Sequence, residues 1–222
     1  MPRKKTLPKF PYDYIGERAQ EYGTLDWMEK NQKKTTRQCV EYLFDSKLGS
    51  IEIEDFSNYL ILDLGCGTGF SSEALLDLNF NVVGIDILFD MIEKANAKKT
   101  DFSSIQIFEL ILASITQLPF QPNSFDFIVS ISAYNFITYK KKTMGEVNHI
   151  LNETAAYLSK LLKDNGRIVI EFYPNTIKEL NLFTSSFTNN NFNGFYIKQN
   201  PTQKSGQTFL LLKKGGINYG EM

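Results

Sequence analysis

Cysteine, histidine and tryptophan are nearly absent from this 222-residue chain, which holds two, one and one of them. Cys39 and Cys66 cannot build a disulfide framework and neither sits in a metal-ligand spacing, so a reducing compartment and no metal site are expected. Charge of one sign is missing too: the formal net charge is −1, which removes the strongly basic field that steers whole proteins to nucleic acid. Arg3-Lys4-Lys5, Lys33-Lys34, Lys140-Lys141-Lys142 and Lys213-Lys214 are local basic clusters, of the kind that usually form solvated faces. No apolar run approaches the roughly 18 residues of a membrane span. The basic start leads into Pro8 and Pro11 rather than an apolar leader. An intracellular protein without a membrane partner is expected, cytoplasmic or, in a eukaryote, nuclear.

What is present is globular: 42% apolar and 22% charged residues, enough for one sizeable core. The expectation is one domain over residues 1–222, with residues 1–50 as an N-terminal helical extension. Trp27, Met28, Cys39, Val40, Leu43 and Phe44 recur at three- and four-residue steps and predict a helix over Asp26–Phe44. Beyond it, apolar strand-like runs alternate with amphipathic stretches. Strands are predicted at Tyr59–Leu64, Asn81–Ile85, Ile105–Leu112, Phe125–Ser132, Arg167–Phe172, Phe195–Lys198 and Thr208–Leu212. Helices are predicted at Ser71–Leu78, Met91–Lys99, Asn148–Lys163 and Thr176–Phe187, and a turn from Asn189 through Gly194. The alternation implies an α/β, doubly wound, mostly parallel seven-stranded sheet with helices on both faces and an antiparallel C-terminal strand.

Asp63-Leu64-Gly65-Cys66-Gly67-Thr68-Gly69 leaves a buried strand and enters a helix, where a doubly wound fold admits a ligand. Glycines there let the chain turn tightly and touch that ligand. Asp86 closes the next strand, 23 residues after Asp63, where a carboxylate can accept from both hydroxyls of an adenosine ribose. The dinucleotide pattern G-x-G-x-x-G would need glycine at position 70 and meets Phe70, so a nicotinamide cofactor is the minor reading. Cys66 reads as a small filler rather than a nucleophile, because no histidine accompanies it.

With these motifs the chain resembles the class I methyltransferases. Their first motif is similar to Leu62 through Gly69, and their second ends in an acid like Asp86. Leu118-Pro119-Phe120, then Phe125 through Ser130, is similar to the stretch between their third and fourth strands. The resemblance implies a Rossmann-like fold and S-adenosylmethionine as cofactor. It implies that Gly65 and Gly67 pack on the methionine end, with Cys66 between them, that Asp63 helps hold the amino group, and that Asp86 binds the ribose, flanked by Ile87. Ser130 belongs to the same expected set. Many relatives place an aspartate before the Leu-Pro-Phe for the adenine amino group. Here Ala113-Ser114 stands instead, so the Ser114 hydroxyl or the backbone around Ser114 and Ile115 takes that role. Asp126 reads as structural.

Methyl transfer to an atom with a ready lone pair needs positioning more than a base. His149, inside a predicted helix, reads as structural, and the Asn-Pro-Pro-aromatic motif of amino-methylating enzymes is missing. An acceptor such as guanine N7 fits. Asn135 and Phe136 after the fourth strand, and Tyr173 and Pro174 after the fifth, are the candidates to hydrogen-bond and stack on a splayed base. No catalytic side chain is expected. These segments resemble the eukaryotic-type small-subunit rRNA guanine-N7 methyltransferases. The likeness rests on Ser130-Ile131-Ser132-Ala133, on Tyr173-Pro174, on Tyr12-Asp13 through Glu17 to Tyr22, and on Gly194 through Asn200-Pro201 to Phe209-Leu210-Leu211. Phe136 stands where that family usually has tryptophan, and its basic tail does not follow Gly216. A small-molecule acceptor, and a ribosome assembly role with little catalysis, are the rival readings. Residues 105–112 are apolar on both faces although the third strand of this fold lies at a sheet edge, an exposed hazard unless covered. The resemblance implies a small zinc-binding activator protein docking there by strand addition.

Overall fold

The computed structural model describes residues 10–18, 25–51, 55–99, 106–199 and 206–215. Among them one sheet is built from β1 (Leu60–Leu64), β2 (Asn81–Asp86), β3 (Phe108–Leu112), β4 (Phe125–Ile131), β5 (Leu162–Phe172), β6 (Phe192–Lys198) and β7 (Thr208–Lys214). Its order is β3-β2-β1-β4-β5-β7-β6. The first five strands pair in parallel, and β7 runs antiparallel between β5 and β6. The helices are α1 (Asp26–Leu43), α2 (Phe70–Leu76), α3 (Phe89–Ala97), α4 (Met144–Leu161) and α5 (Ile177–Thr188). The Rossmann-like α/β expectation holds, and no described helix is long and apolar enough to cross a membrane.

Strand alternation explains the two core layers. Ile61, Val82, Phe127, Val129 and Val169 pack on one face with Cys39, Val40 and Leu43 of α1 and Leu75 of α2. Leu62, Leu64, Ile128, Ile168 and Ile170 pack on the other with Leu151 and Leu158 of α4 and Phe183 and Phe187 of α5. Strands covered on both faces need continuous apolar sequence, which is why β1, β2 and β5 read so plainly. Helix α1 is tied to the sheet by the fully buried Arg167 of β5, whose guanidinium donates to the Leu43 carbonyl at 2.6 Å and the Gly49 carbonyl at 2.7 Å. The Leu43 carbonyl is the last of α1, where helical partners run out, and Gly49 closes the short turn Ser46–Leu48 that follows. Asp126 is structural: it accepts from the Leu60 N–H at 3.0 Å and pairs with Lys163 at 2.8 Å.

Several boundaries differ from expectation. Helix α4 begins at Met144, because Thr143 and Glu146 form a reciprocal capping box. It stops at Leu161, since Leu162 already pairs with Phe125, and this lengthens β5 to 11 residues. The turn covers only Asn189–Asn191, and Phe192-Asn193-Gly194 belong to β6. Gly194 is there for close packing: a Cβ would lie 1.9 Å from the Leu211 carbonyl oxygen. Strand β3 does lie at the edge, beginning at Phe108, while Ile105, Tyr22, Asn200-Pro201 and Gly216 fall outside the described residues.

Candidate active site

The chain order reverses between β1 and β4, so the loops leaving their carboxyl ends diverge and leave a crevice. One wall is the glycine loop. Gly65 adopts φ +75°, and a Cβ there would sit 2.3 Å from the Ala133 Cβ, so only glycine fits. At Gly67, φ is +54° and a Cβ would meet nothing within 4 Å, which leaves the loop open to the crevice. The Gly65 and Cys66 N–H groups both donate to the Ile85 carbonyl, at 2.9 and 2.8 Å, fixing the loop against β2.

Asp86 at the end of β2 accepts from the Gly67 N–H at 3.0 Å through one oxygen and from the Leu88 N–H at 2.8 Å through the other. Burial pushes its carboxyl above the ordinary range, while these N–H groups favour the ionised form. Asp63 is fully buried and accepts from the Ser71 and Ser72 hydroxyls at 2.6 and 2.7 Å through a single oxygen. Its other oxygen has no partner. Burial pushes the Asp63 carboxyl up to about 6, against the pull of the two hydroxyls. Burial likewise raises the Cys66 thiol, so this cysteine is inert, as a filler should be.

Two compartments share Phe10, Gly65, Asp86, Ala133 and Phe136. The smaller, about 70 Å³, adds Cys66, Gly67 and Ser71 of the loop side with Tyr14, Gln32, Met91 and Ser132. The larger, about 260 Å³, adds Ile87, Ser114, Ile115, Thr116, Tyr139 and Lys141. Of the residues singled out from sequence, Gly65, Cys66, Gly67, Asp86, Ile87, Ser114, Ile115 and Phe136 therefore line one crevice. Ser114 is polar and half-buried there, its hydroxyl 2.9 Å from that of Thr116.

Others do not line it. Asp63 sits one step behind, hydrogen-bonded to Ser71, which does line it. Ser130 is fully buried and its hydroxyl donates to the Leu64 carbonyl at 2.9 Å, tying β4 to β1. A side chain inside a central strand points into a core layer, and the crevice lining begins at the next residue, Ile131, and continues through Ser132 and Ala133. Ser132 has φ +55° and donates its hydroxyl to Glu171 at 2.6 Å. Asn135 is half-buried with its carbonyl accepting from the Thr138 hydroxyl, Tyr173 is 48% exposed and hydrogen-bonds Glu171, and Pro174 is buried. None of these three reaches the crevice lining. His149 is an exposed surface residue, 3.2 Å from Glu153.

Sequence reasoning missed the lid. Phe10 stacks on Phe136 with centroids 4.5 Å apart and meets Tyr139 edge-on at 5.2 Å. The Gly16 N–H donates to Asp90 of α3 at 2.6 Å, pinning the N-terminal segment beside the crevice. The density of aromatics in Phe10-Pro11-Tyr12-Asp13-Tyr14 was the available signal.

The crevice has features that fit a bound S-adenosylmethionine: a glycine loop open to it at Gly67 and the Asp86 carboxylate at the end of β2, with the buried Asp63 held behind the loop by Ser71 and Ser72. Residues 55–214 match the family model described as a methyltransferase domain. The 18S rRNA (guanine-N(7))-methyltransferase of Bos taurus is 32% identical over 211 residues, 95% of this chain and 69% of that protein. The protein of the same name from Schizosaccharomyces pombe is 30% identical over 203 residues, 91% of this chain and 70% of its own length. The solved structure of magnesium protoporphyrin IX methyltransferase from Synechocystis PCC 6803 with bound S-adenosylmethionine shares the fold. Its TM-score is 0.58 at 17% identity, covering 87% of this chain and 84% of that one. A glycine loop, an acid at the end of β2 and this degree of likeness over nearly the whole chain agree, and the chain belongs to the methyltransferase domain family, among the S-adenosylmethionine-dependent enzymes related to the 18S rRNA guanine-N7 methyltransferases.

Proposed function

We propose that this protein transfers a methyl group from S-adenosylmethionine to N7 of a guanine in small-subunit ribosomal RNA. The observation that carries the reading is the chemistry of the crevice. Among the described residues its lining holds no histidine and one carboxylate, Asp86, and both oxygens of that carboxylate already accept backbone N–H groups. A site without a free base suits an acceptor whose lone pair is already available, and guanine N7 is one. The names carried by the bovine and fission-yeast relatives support the same acceptor.

When bound, the cofactor supplies a methyl group on a positively charged sulfur. Gly65, Cys66 and Gly67 would hold its methionine end, with Asp63 acting through Ser71. Asp86 would accept from the ribose, and Ile87, Ser114 and Ile115 would enclose the adenine. Phe136 offers the face on which the target base stacks. That face is covered by Phe10 in this structure, so Phe10 yields when the base enters. The contribution of the chain is alignment and exclusion of water, which can supply much of a methyl-transfer rate. Asn135, Tyr173 and Pro174 lie in the outer ring and would act by shaping the loops around the base.

We also propose a small zinc-binding protein as partner along β3. Support comes from the edge itself: Leu112 is 53% exposed, Ile107 51% and Phe89 of α3 63%. Such an apolar edge invites an added strand. If the chain alone remains soluble, monomeric and fully active, the partner is not needed. A ribosomal substrate would place the protein inside the cell.

The test is methyl incorporation from labelled cofactor into small ribosomal subunits lacking the endogenous enzyme, with and without a zinc-binding partner. N7-methylguanine at one position is expected. Label in metabolite mixtures but not in subunits would favour a small-molecule acceptor. Subunit assembly that survives Gly67→Arg, with no label in the wild type, would favour an assembly role.

A further inference from the structure

We infer that the turn Tyr139–Lys142 grips the phosphates that flank the target nucleotide, and that the RNA enters single-stranded over this lip of the crevice. The inference rests on the ribosomal RNA reading above and adds the surface that holds the chain.

Several lysines in this structure spend their charge inside the molecule. Lys33 and Lys98 pair with Glu73, Lys99 with Glu109, Lys163 with Asp126, and Lys214 with Asp164. Lys140, Lys141 and Lys142 are all exposed, and among the described residues none forms a salt bridge. The one carboxylate close by, Glu146, accepts the Lys142 and Thr143 backbone N–H groups in its capping role. Those amides are therefore occupied; Lys141 acts on Glu146 through charge without forming an ion pair, and Lys140 and Lys142 are left as the free cations.

Their place is set by the fold. Lys141 lines the larger compartment beside Tyr139, Phe136 and Ile150. The Lys140 ammonium lies 5.4 Å from the centre of the Tyr139 ring, and Lys140 itself has φ +65°. The Tyr139 and Lys141 N–H groups donate to Phe136 and Thr138 carbonyls at 2.9 and 3.0 Å, so the turn is a continuation of the crevice loop. Three consecutive exposed lysines directly after Phe136 and Tyr139, with Lys141 lining the larger compartment, match the chemistry of single-stranded nucleic acid, whose bases stack while its phosphates meet lysine. A regular duplex keeps its bases stacked inside and would offer nothing to Phe136.

The experiment compares the full-length protein with the double variant Lys140→Gln/Lys142→Gln, binding a labelled mixed-sequence 12-nucleotide RNA across a salt series, with S-adenosylmethionine present. A control, Lys160→Gln, removes an exposed charge at the far end of α4, roughly 27 Å away at 1.5 Å per residue. Each single-strand phosphate contact contributes about 0.7 to the slope of log affinity against log salt. The Lys140/Lys142 variant should lower that slope by roughly 1.4 and weaken binding about tenfold near 0.1 M salt, while the control stays within about twofold. Equal binding by both variants would overturn the proposal while leaving the ribosomal reading intact. A wild type that binds cofactor but neither binds this RNA nor labels subunits would overturn both.

Discussion

The two walls of the crevice are made differently. The loop wall, Gly65 to Gly67 with Asp86, is backbone and one carboxylate, clamped by N–H bonds of 2.8 to 3.0 Å to neighbouring strand ends. The opposite wall is side chains: Phe10 on Phe136, Tyr139 edge-on, with lysines beyond. Backbone positioned by a sheet cannot adjust without unpairing strands, whereas stacked rings can exchange one aromatic partner for another. A rigid wall suits a cofactor that is the same in every turnover, and an exchangeable one suits a large acceptor that must arrive and leave.

The sharpest way to break the contrast is Gly65→Ala. It forces alanine to φ +75° and a Cβ to 2.3 Å from Ala133. The left-handed backbone costs about 1–2 kcal/mol and the overpacking about 1–3 kcal/mol more. Calorimetric cofactor binding should fall more than a hundredfold and thermal stability should drop. Near-normal binding would mean that the loop wall is as adaptable as the aromatic one.

Next comes the titration of Asp63. Its folded-state value of about 6 lies above that of an unfolded aspartate, so folding favours the protonated form. Its contribution to stability is full below about pH 4 and is lost as pH rises to about 6, an amount on the order of 2–3 kcal/mol. In denaturant unfolding of the cofactor-free protein, Asp63→Asn should remove that step between pH 4 and 6. A pH profile unchanged by the substitution would argue against a strained carboxylate behind the loop.

On the other wall, Phe136→Ala should raise the KM for RNA about tenfold, as expected for one stacking contact of 1–3 kcal/mol. Cofactor affinity should change about threefold or less, and the opposite ranking would assign Phe136 to the cofactor. The smallest effect is expected for Ser130→Ala, which loses one hydrogen bond to Leu64. About 1 kcal/mol of stability should go, read by chemical denaturation, with unchanged cofactor affinity. Loss of affinity would return Ser130 to the site.

The same contrast explains what could be read from sequence. Strand–glycine loop–helix and an acid at the next strand end are local patterns, because the backbone geometry they serve is local. The glycine loop and Asp86 were therefore legible as residues that come together in one crevice, and so was the edge position of β3. Ser130 lies within β4, one residue before the crevice lining begins, because where a strand ends and its loop begins depends on pairing with β5, which spacing does not record. The capping box of Thr143 and Glu146 was legible but unread. The lid was not legible as such, since Phe10 meets Phe136 across 126 positions of chain and nothing near either residue encodes the other. Tyr173 was expected near the base from its position after a strand. It turns instead toward Glu171, a partner two residues back along β5.

The buried Arg167 has a consequence for how the molecule comes into being. Its guanidinium holds the end of α1 from 124 positions away, and α1 carries Gln32 into the crevice. During synthesis the first helix emerges long before the strand that fastens it. Until β5 has joined the sheet, the carbonyls at the end of α1 lack their donor and the crevice lacks part of its side. The capacity to hold cofactor should thus appear late and abruptly as the chain lengthens, when the fifth strand locks in, and not gradually from the glycine loop outward.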